Sequence, residues 1–389
     1  MSNDNGSIKM VEIENKGRAL VSSRPLNAGE IVLKDCPILL YSAAPHATAA
    51  AAAANYCANC FRTIPPHSAT TVPCPNCAAA SLFCTPHCQS IALSSSHTPF
   101  VCQSLIRLRA ADSPLLHHHH DRLIQARFLI SAYNLATASP SHFQTLLSLQ
   151  GEPIKDEESI FLHSVISSIL PASSNLRQIG FSLELTAALL AKDKLNAFGL
   201  MEPFDQDVEN RSVRAYGVYP RASFFNHDCL PNACRFDYVD SVPDLSNTSI
   251  VVRVIHDVPA GREICLSYFP VNLKYSERQV RLKEDYGFVC DCDRCKVEAN
   301  WSDNEEEMDQ EDDDMDGDDM TGDDDNMDGE DDDDMAKEND DFPHAYFFVR
   351  YMCGRDNCGG TLAPVPPVDA RTSSVMECNV CGSLSNSED

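Results

Sequence analysis

Apolar and polar positions alternate along Ile8-Lys9-Met10-Val11-Glu12-Ile13, and a short apolar run follows at Ile31-Val32-Leu33. Turn residues at Asn15-Lys16-Gly17 and Asn27-Ala28-Gly29 separate these runs, so the first forty residues read as short β-strands. From about Asp121 to Leu195 the period lengthens. Ile124, Phe128 and Leu135, then Phe161, Val165 and Ile169, recur at helical spacing. Strand patterns return over Val213–Tyr219, Ser249–Val254 and Ile264–Tyr268. The segment Ala260-Gly261-Arg262-Glu263-Ile264 repeats the pattern of Ala28-Gly29-Glu30-Ile31, and both predict a glycine turn feeding a strand.

Composition changes the picture in two places. The net charge of −28 is concentrated between Asp303 and Asp341, where 24 acidic residues face one lysine; the rest of the chain carries only about −5. Such a tract cannot bury enough apolar surface to fold and is expected to be a self-repelling linker, solubilising or attractive to basic substrates. With no matching basic stripe, direct nucleic-acid binding is not expected. No apolar run reaches the ~18 residues of a membrane span, and Met1 to Met10 lacks the apolar core of a secretory signal. The alanine tract around Ala49–Ala54 does not alter this. A 389-residue chain with room for two or three domains is therefore expected to be soluble and intracellular, in nucleus or cytoplasm.

Cysteine is the second departure. Eighteen cysteines in a reducing compartment point away from disulfides, and their arrangement in short pairs points to metal. The first block holds Cys57-x2-Cys60, Cys74-x2-Cys77, Cys84-x3-Cys88 and His97-x4-Cys102, eight nitrogen and sulfur ligands for two closed tetrahedral zinc sites. Cys290-x-Cys292-x2-Cys295 supplies three ligands, and by spacing Cys229, Cys234 and Cys265 all qualify as the fourth. Cys353-x4-Cys358 with Cys378-x2-Cys381 suggests a zinc ribbon. Three zinc sites and this fourth would use fifteen cysteines. The His117–His120 run is expected to be a solvated loop rather than a metal site.

The most specific stretch is Asn226-His227-Asp228-Cys229-Leu230-Pro231-Asn232, which resembles the Asn-His-x-Cys-x-Pro-Asn signature of SET domains. Gly261-Arg262-Glu263-Ile264-Cys265-Leu266-Ser267-Tyr268 resembles their second signature, and Tyr286-Gly287-Phe288-Val289-Cys290-Asp291-Cys292 opens a post-SET-like zinc motif. Lys16-Gly17-Arg18-Ala19 stands where the family has its Gly-x-Gly cofactor loop. The first cysteine block, with Gln89 after its sixth cysteine, resembles a MYND finger. Together these match the order of the SET-and-MYND lysine methyltransferases, in a plant-type branch, over about residues 8–300.

That resemblance implies an α+β SET β-clip fold of small sheets with a helical insertion, an inserted MYND finger and a C-terminal zinc-binding segment. The implied division is 1–54 for the N-terminal part of SET, 55–102 for MYND and 103–195 for the helical insertion. Core SET follows at 196–270, post-SET at 271–300, the acidic linker at 301–341 and the ribbon-like segment at 342–389. It implies interleaved ligation, with Cys57, Cys60, Cys84 and Cys88 on one zinc and Cys74, Cys77, His97 and Cys102 on the other. Cys229 would complete the set of Cys290, Cys292 and Cys295. S-adenosylmethionine would be held by the backbone at Arg18 and Ala19, with Asn196, Ser223, Asn226 and His227, and Phe288 stacked on its adenine. Phe198, Tyr268 and Tyr286 would line a lysine channel, with the Tyr286 hydroxyl foremost. The implied activity is protein-lysine N-methylation, histones being one substrate class, with peptide partners for the MYND finger. Ala19 in place of the loop's second glycine, and the missing C-terminal helical repeat domain, support a second reading as a catalytically weak or inactive interaction adaptor.

Overall fold

The computed structural model describes residues 6–45, 56–66, 68–115, 118–171, 179–208, 211–241, 245–300, 345–367 and 372–386. The expectations for Ala49–Ala54, His117 and the acidic tract lie outside these residues. Strands β1 (Ile8–Ile13) and β2 (Gly17–Ser22) form an antiparallel hairpin, turned by Asn15 and Gly17, both at positive φ. Strands β3 (Ile31–Asp35) and β4 (Leu39–Ser42) follow, each to be paired with strands some two hundred residues downstream.

The finger contains the hairpin β5 (Val72–Cys74) and β6 (Ala78–Phe83), then helices α1 (Pro86–Ser94) and α2 (Pro99–Leu108). Each helix starts on Thr-Pro, a preset first turn, and Thr85 accepts the Cys88 N–H. The interior of this unit is mostly cysteine: Cys57, Cys60, Cys74, Cys88 and Cys102 surround Ile64, Phe83 and Ala92. So little hydrocarbon cannot hold a fold by burial alone.

The helical stretch divides into α3 (His120–Ala138), α4 (Pro140–Leu147), α5 (Glu157–Ile169) and α6 (Leu183–Asn196). The expected positions Phe128, Val165 and Ile169 are buried and Leu135 nearly so, while Ile124 and Phe161 pack on their edge. His118 to His120 lead into α3: His119 caps it and His120 Nε2 lies 2.9 Å from the Ala43 carbonyl.

Next come β7 (Ala197–Met201), β8 (Val213–Val218), β9 (Asn226–His227), β10 (Ala233–Asp237), β11 (Ile250–Val254) and β12 (Cys265–Leu266). They build two three-stranded sheets, β4-β8-β7 and β10-β11-β3, and a parallel pair, β9-β12. Gly29 and Gly261 both sit at φ 82, as their shared pattern predicts. The strand expected over Ile264–Tyr268 is reduced to two residues, because the Tyr268 N–H is taken by a side chain, the ring of His227.

Helices α7 (Tyr275–Tyr286) and α8 (Asp293–Glu298) carry the last part of the core. The C-terminal segment consists of α9 (Ala345–Tyr351) and the small sheet β13 (Leu362–Pro364), β14 (Val375–Cys378) and β15 (Leu384–Asn386). It packs against β10 and β11 through Phe236, Ile255, Phe347, Tyr351, Ala363 and Met376. Buried Arg253 pairs with Glu377 at 2.8 Å and lies over the Phe236 ring at 3.7 Å. Among the described residues no sheet exceeds three strands and no helix is long and apolar enough to cross a membrane.

Candidate active site and metal centres

Two chain segments cross side by side at the centre of the molecule. Strand β9 runs parallel to β12, Asn232 Nδ2 donates to the Glu263 carbonyl at 2.8 Å, and Cys265 N–H donates to Asn232 Oδ1 at 2.9 Å. This crossing delivers Tyr268 to the end of α7, where its ring centroid is 4.7 Å from that of Tyr286. Tyr268 donates its hydroxyl to the Phe225 carbonyl at 2.9 Å. Burial raises both phenol pKa values above the ordinary value, so both rings keep their protons at neutral pH. Gly287, at φ 79, ends α7 and turns the chain so that Phe288, 38% exposed, faces outward beside the same region.

Two of the expected cofactor residues are carboxamides with fixed orientation. Asn226 Nδ2 donates to Glu263 Oε1 at 2.9 Å, and Lys16 Nζ reaches Glu263 Oε2 at 2.9 Å. Asn196 donates both amide hydrogens, to the Gln150 and Lys192 carbonyls at 2.8 Å each. In both cases the carboxamide oxygen remains as the acceptor. Ser223 Oγ donates to the Tyr219 carbonyl at 2.8 Å, and Arg18 reaches the Ser148 carbonyl at 2.8 Å across the face of Phe224.

Among the described residues four groups of side chains could hold a metal ion, each with ligand atoms within 4.8 Å of one another. They are Cys57, Cys60, Cys84 and Cys88; Cys74, Cys77, His97 and Cys102; Cys229, Cys290, Cys292 and Cys295; and Cys353, Cys358, Cys378 and Cys381. A tetrahedral zinc bonded to sulfur at ~2.3 Å puts its sulfurs about 3.8 Å apart. The distances are 3.8 Å for Cys60–Cys84, 3.9 Å for Cys74–Cys102, 3.9 Å for Cys229–Cys290 and 3.8 Å for Cys353–Cys381. His97 turns Nε2 toward Cys77 at 3.5 Å, and burial pushes its pKa down to about 4, the neutral form a metal needs. Of the three candidates that spacing leaves open for the third group, Cys229 lies in the cluster, while Cys234 and Cys265 are buried elsewhere.

The sequence profile of the SET domain matches residues 17–269 of the chain. Over 408 aligned residues it is 51% identical to "Histone-lysine N-methyltransferase ASHR2" of Arabidopsis thaliana, covering 100% of this chain and 99% of that protein. The chain belongs to the SET-domain family. It is also 32% identical over 139 residues to "Protein-lysine N-trimethyltransferase SMYD5" of Gallus gallus, covering 33% of this chain and 31% of that protein. Against "Histone-lysine N-methyltransferase SMYD3" of Mus musculus the identity is 23% over 296 residues, 74% of this chain and 61% of that protein.

The expected residues fall into distinct places. Tyr268 and Tyr286 meet; Phe198 packs instead in the neighbouring cluster, edge-on to Tyr219 at 5.6 Å with the Arg235 guanidinium over its ring. Arg18 and Ala19 are paired within β2 with Glu12 and Val11, and the Ala19 side chain is buried. The His227 ring is occupied on both sides, Nδ1 by the Tyr268 N–H and Nε2 by Cys229 Sγ, each at 3.2 Å. Any hydrogen bond from His227 to a cofactor would come from its main chain.

Three residues escaped sequence reasoning. Glu263 was visible only as part of a motif. Arg278, fully buried, donates to Cys229 Sγ at 3.3 Å and to Glu298, and Gln279 is bonded to the Cys290 main chain in both directions. Helix α7 is polar on most faces, with only Arg278 and Leu282 buried, so no apolar periodicity marks it.

Proposed function

We propose that the chain is an S-adenosylmethionine-dependent protein-lysine N-methyltransferase whose four cysteine-rich groups hold structural Zn2+. The observation that carries this reading is the partly buried Tyr268–Tyr286 pair, ring centroids 4.7 Å apart, together with the oriented carboxamide of Asn226. The SET-domain membership and the full-length relative named for histone-lysine methylation support it. When bound, S-adenosylmethionine supplies a methyl group on a sulfonium. The chain's residues suit that group: the oxygens of Asn196 and Asn226 accept from an ammonium, and the outward ring of Phe288 offers a face to an adenine.

The remaining task falls to the lysine pocket. Free lysine has a pKa near ~10.4 and is almost wholly protonated at neutral pH. Two neutral phenols in a desolvated channel favour the uncharged amine and hold its nitrogen in line for displacement. The Phe225 carbonyl, tied to the Tyr268 hydroxyl, fixes that ring, while the Tyr286 hydroxyl is the foremost group toward the amine. The zinc groups leave no open position for water or substrate, so their part is structural. A protein lysine, histone or non-histone, is the substrate class, and nucleus or cytoplasm the place.

Transfer of labelled methyl from S-adenosylmethionine to core histones and to a cell extract tests the reading. Label is expected on protein lysine, with Tyr286→Phe lowering turnover roughly ten- to a hundredfold. No label from a folded, zinc-loaded chain would return the adaptor reading, and unchanged turnover in the variant would remove Tyr286 from its role.

A further inference from the structure

We infer that His227 is a positioning residue whose imidazole bridges the centre of Cys229, Cys290, Cys292 and Cys295 and the channel tyrosine, one ring nitrogen serving the Cys229 sulfur and the other the main chain at Tyr268. This rests on the methyltransferase reading for its consequence, but not for its geometry. The Tyr268 N–H can only donate, so the Nδ1 it meets at 3.2 Å must be the acceptor. The ring proton then sits on Nε2 and points at Cys229 Sγ, 3.2 Å away. Cys229 also receives the Nε–H of buried Arg278 at 3.3 Å. A centre of four thiolates around Zn2+ carries two net negative charges, and two N–H donors on one sulfur are what such a centre needs in a site closed to water.

The ring has little freedom to do anything else. Its centroid lies 4.8 Å from Phe269 and 5.2 Å from Tyr268, and the residue is buried. Cys229 is two residues along from His227, while Cys290, Cys292 and Cys295 follow α7, which ends on Tyr286. One end of the strut therefore reports the closure of the cysteine group, and the other holds the amide of the tyrosine that faces Tyr286. Loss of the Nδ1 contact would let Tyr268 shift without disturbing the strands around it, and loss of the Nε2 contact would leave the Cys229 sulfur one N–H donor short.

Two variants separate the two ends. In His227→Asn the carboxamide oxygen stands near the place of Nδ1, keeping the acceptor for Tyr268 and losing the donor to sulfur. In His227→Gln the terminal amide stands near Nε2, keeping the sulfur contact and losing the tie to Tyr268. Both are made in the full zinc-loaded chain. Hydrogen exchange at the Tyr268 amide is expected to quicken about tenfold in H227Q and not in H227N, the ratio one hydrogen bond supports. Release of one metal equivalent to a chromogenic chelator is expected to quicken about tenfold in H227N and not in H227Q. In methyl transfer, kcat falls in H227Q while the KM for a lysine peptide is held. If both variants behave alike on exchange or on metal release, whether changed or unchanged, the strut is overturned. A parent chain that transfers no methyl would sink the methyltransferase reading alone, since exchange and metal release are read without it.

Discussion

The carboxylate of Glu263 is approached from two sides, by Lys16 at one oxygen and Asn226 at the other, each at 2.9 Å. As long as both oxygens only accept, Asn226 must present its amide hydrogens to Glu263 and its carbonyl to the site. Glu263→Gln puts a donor on one of those positions, and the favourable escape is for Asn226 to rotate and show its NH2 where its oxygen had been. Calorimetry with S-adenosylhomocysteine is expected to show Kd raised about tenfold, or ~1.4 kcal/mol, the loss of one charge-assisted hydrogen bond. Unchanged affinity would mean that something other than Glu263 orients Asn226. The sequence made Asn226, Tyr268, Tyr286 and the cysteines legible because each sits in a motif with rigid spacing. It could not show which way the His227 ring turns, or that a helix residue such as Arg278 would reach a cysteine. Those depend on packing between segments that no local pattern encodes.

At the level of elements, the glycine turns make a matched pair. Gly29 and Gly261 share φ 82, but a Cβ on Gly29 would meet the Val365 and Pro364 carbonyls at 2.7 and 2.9 Å, whereas Gly261 has open space. Gly261→Ala carries only the backbone penalty, about 1 kcal/mol. Gly29→Ala is expected to cost more, roughly 1–3 kcal/mol beyond that, by pushing the C-terminal sheet from β3. Denaturant midpoints of the two variants compare them directly, and equal losses would mean the C-terminal sheet is not firmly docked. The same elements show what alternation can and cannot convey. Strands β3, β8 and β11 were legible because most of their positions are buried, whereas β1 was legible by its alternation although only Ile8 of it is buried. Helices α1 and α2 were hidden by cysteines, which count as ligands in one reading and apolar residues in another. Helix α7 was hidden by its charge.

Across the whole molecule, cohesion depends unevenly on metal. The helical unit has a hydrocarbon interior, while the finger and the C-terminal sheet are built around cysteines. Zinc binding at such sites can contribute on the order of 10–16 kcal/mol, and it requires thiolates. Ligand thiolates are held below the ordinary thiol pKa by the ion, so this stability is present above that range and is lost as pH falls. A chelator at pH 5 is therefore expected to open the finger and the C-terminal sheet to protease while the α3–α6 unit persists, and to do so more slowly at pH 8. Uniform cleavage at both pH values would contradict this division. The Arg253–Glu377 pair has a bearing on synthesis. Arg253 and its carboxylate are 124 residues apart in sequence. At about 5–20 residues per second, roughly 6 to 25 s separate their emergence from the ribosome. For that interval the central sheet must leave a guanidinium in water, and a transcript truncated before the codon for residue 377 would yield a nascent domain that cannot close its own interior.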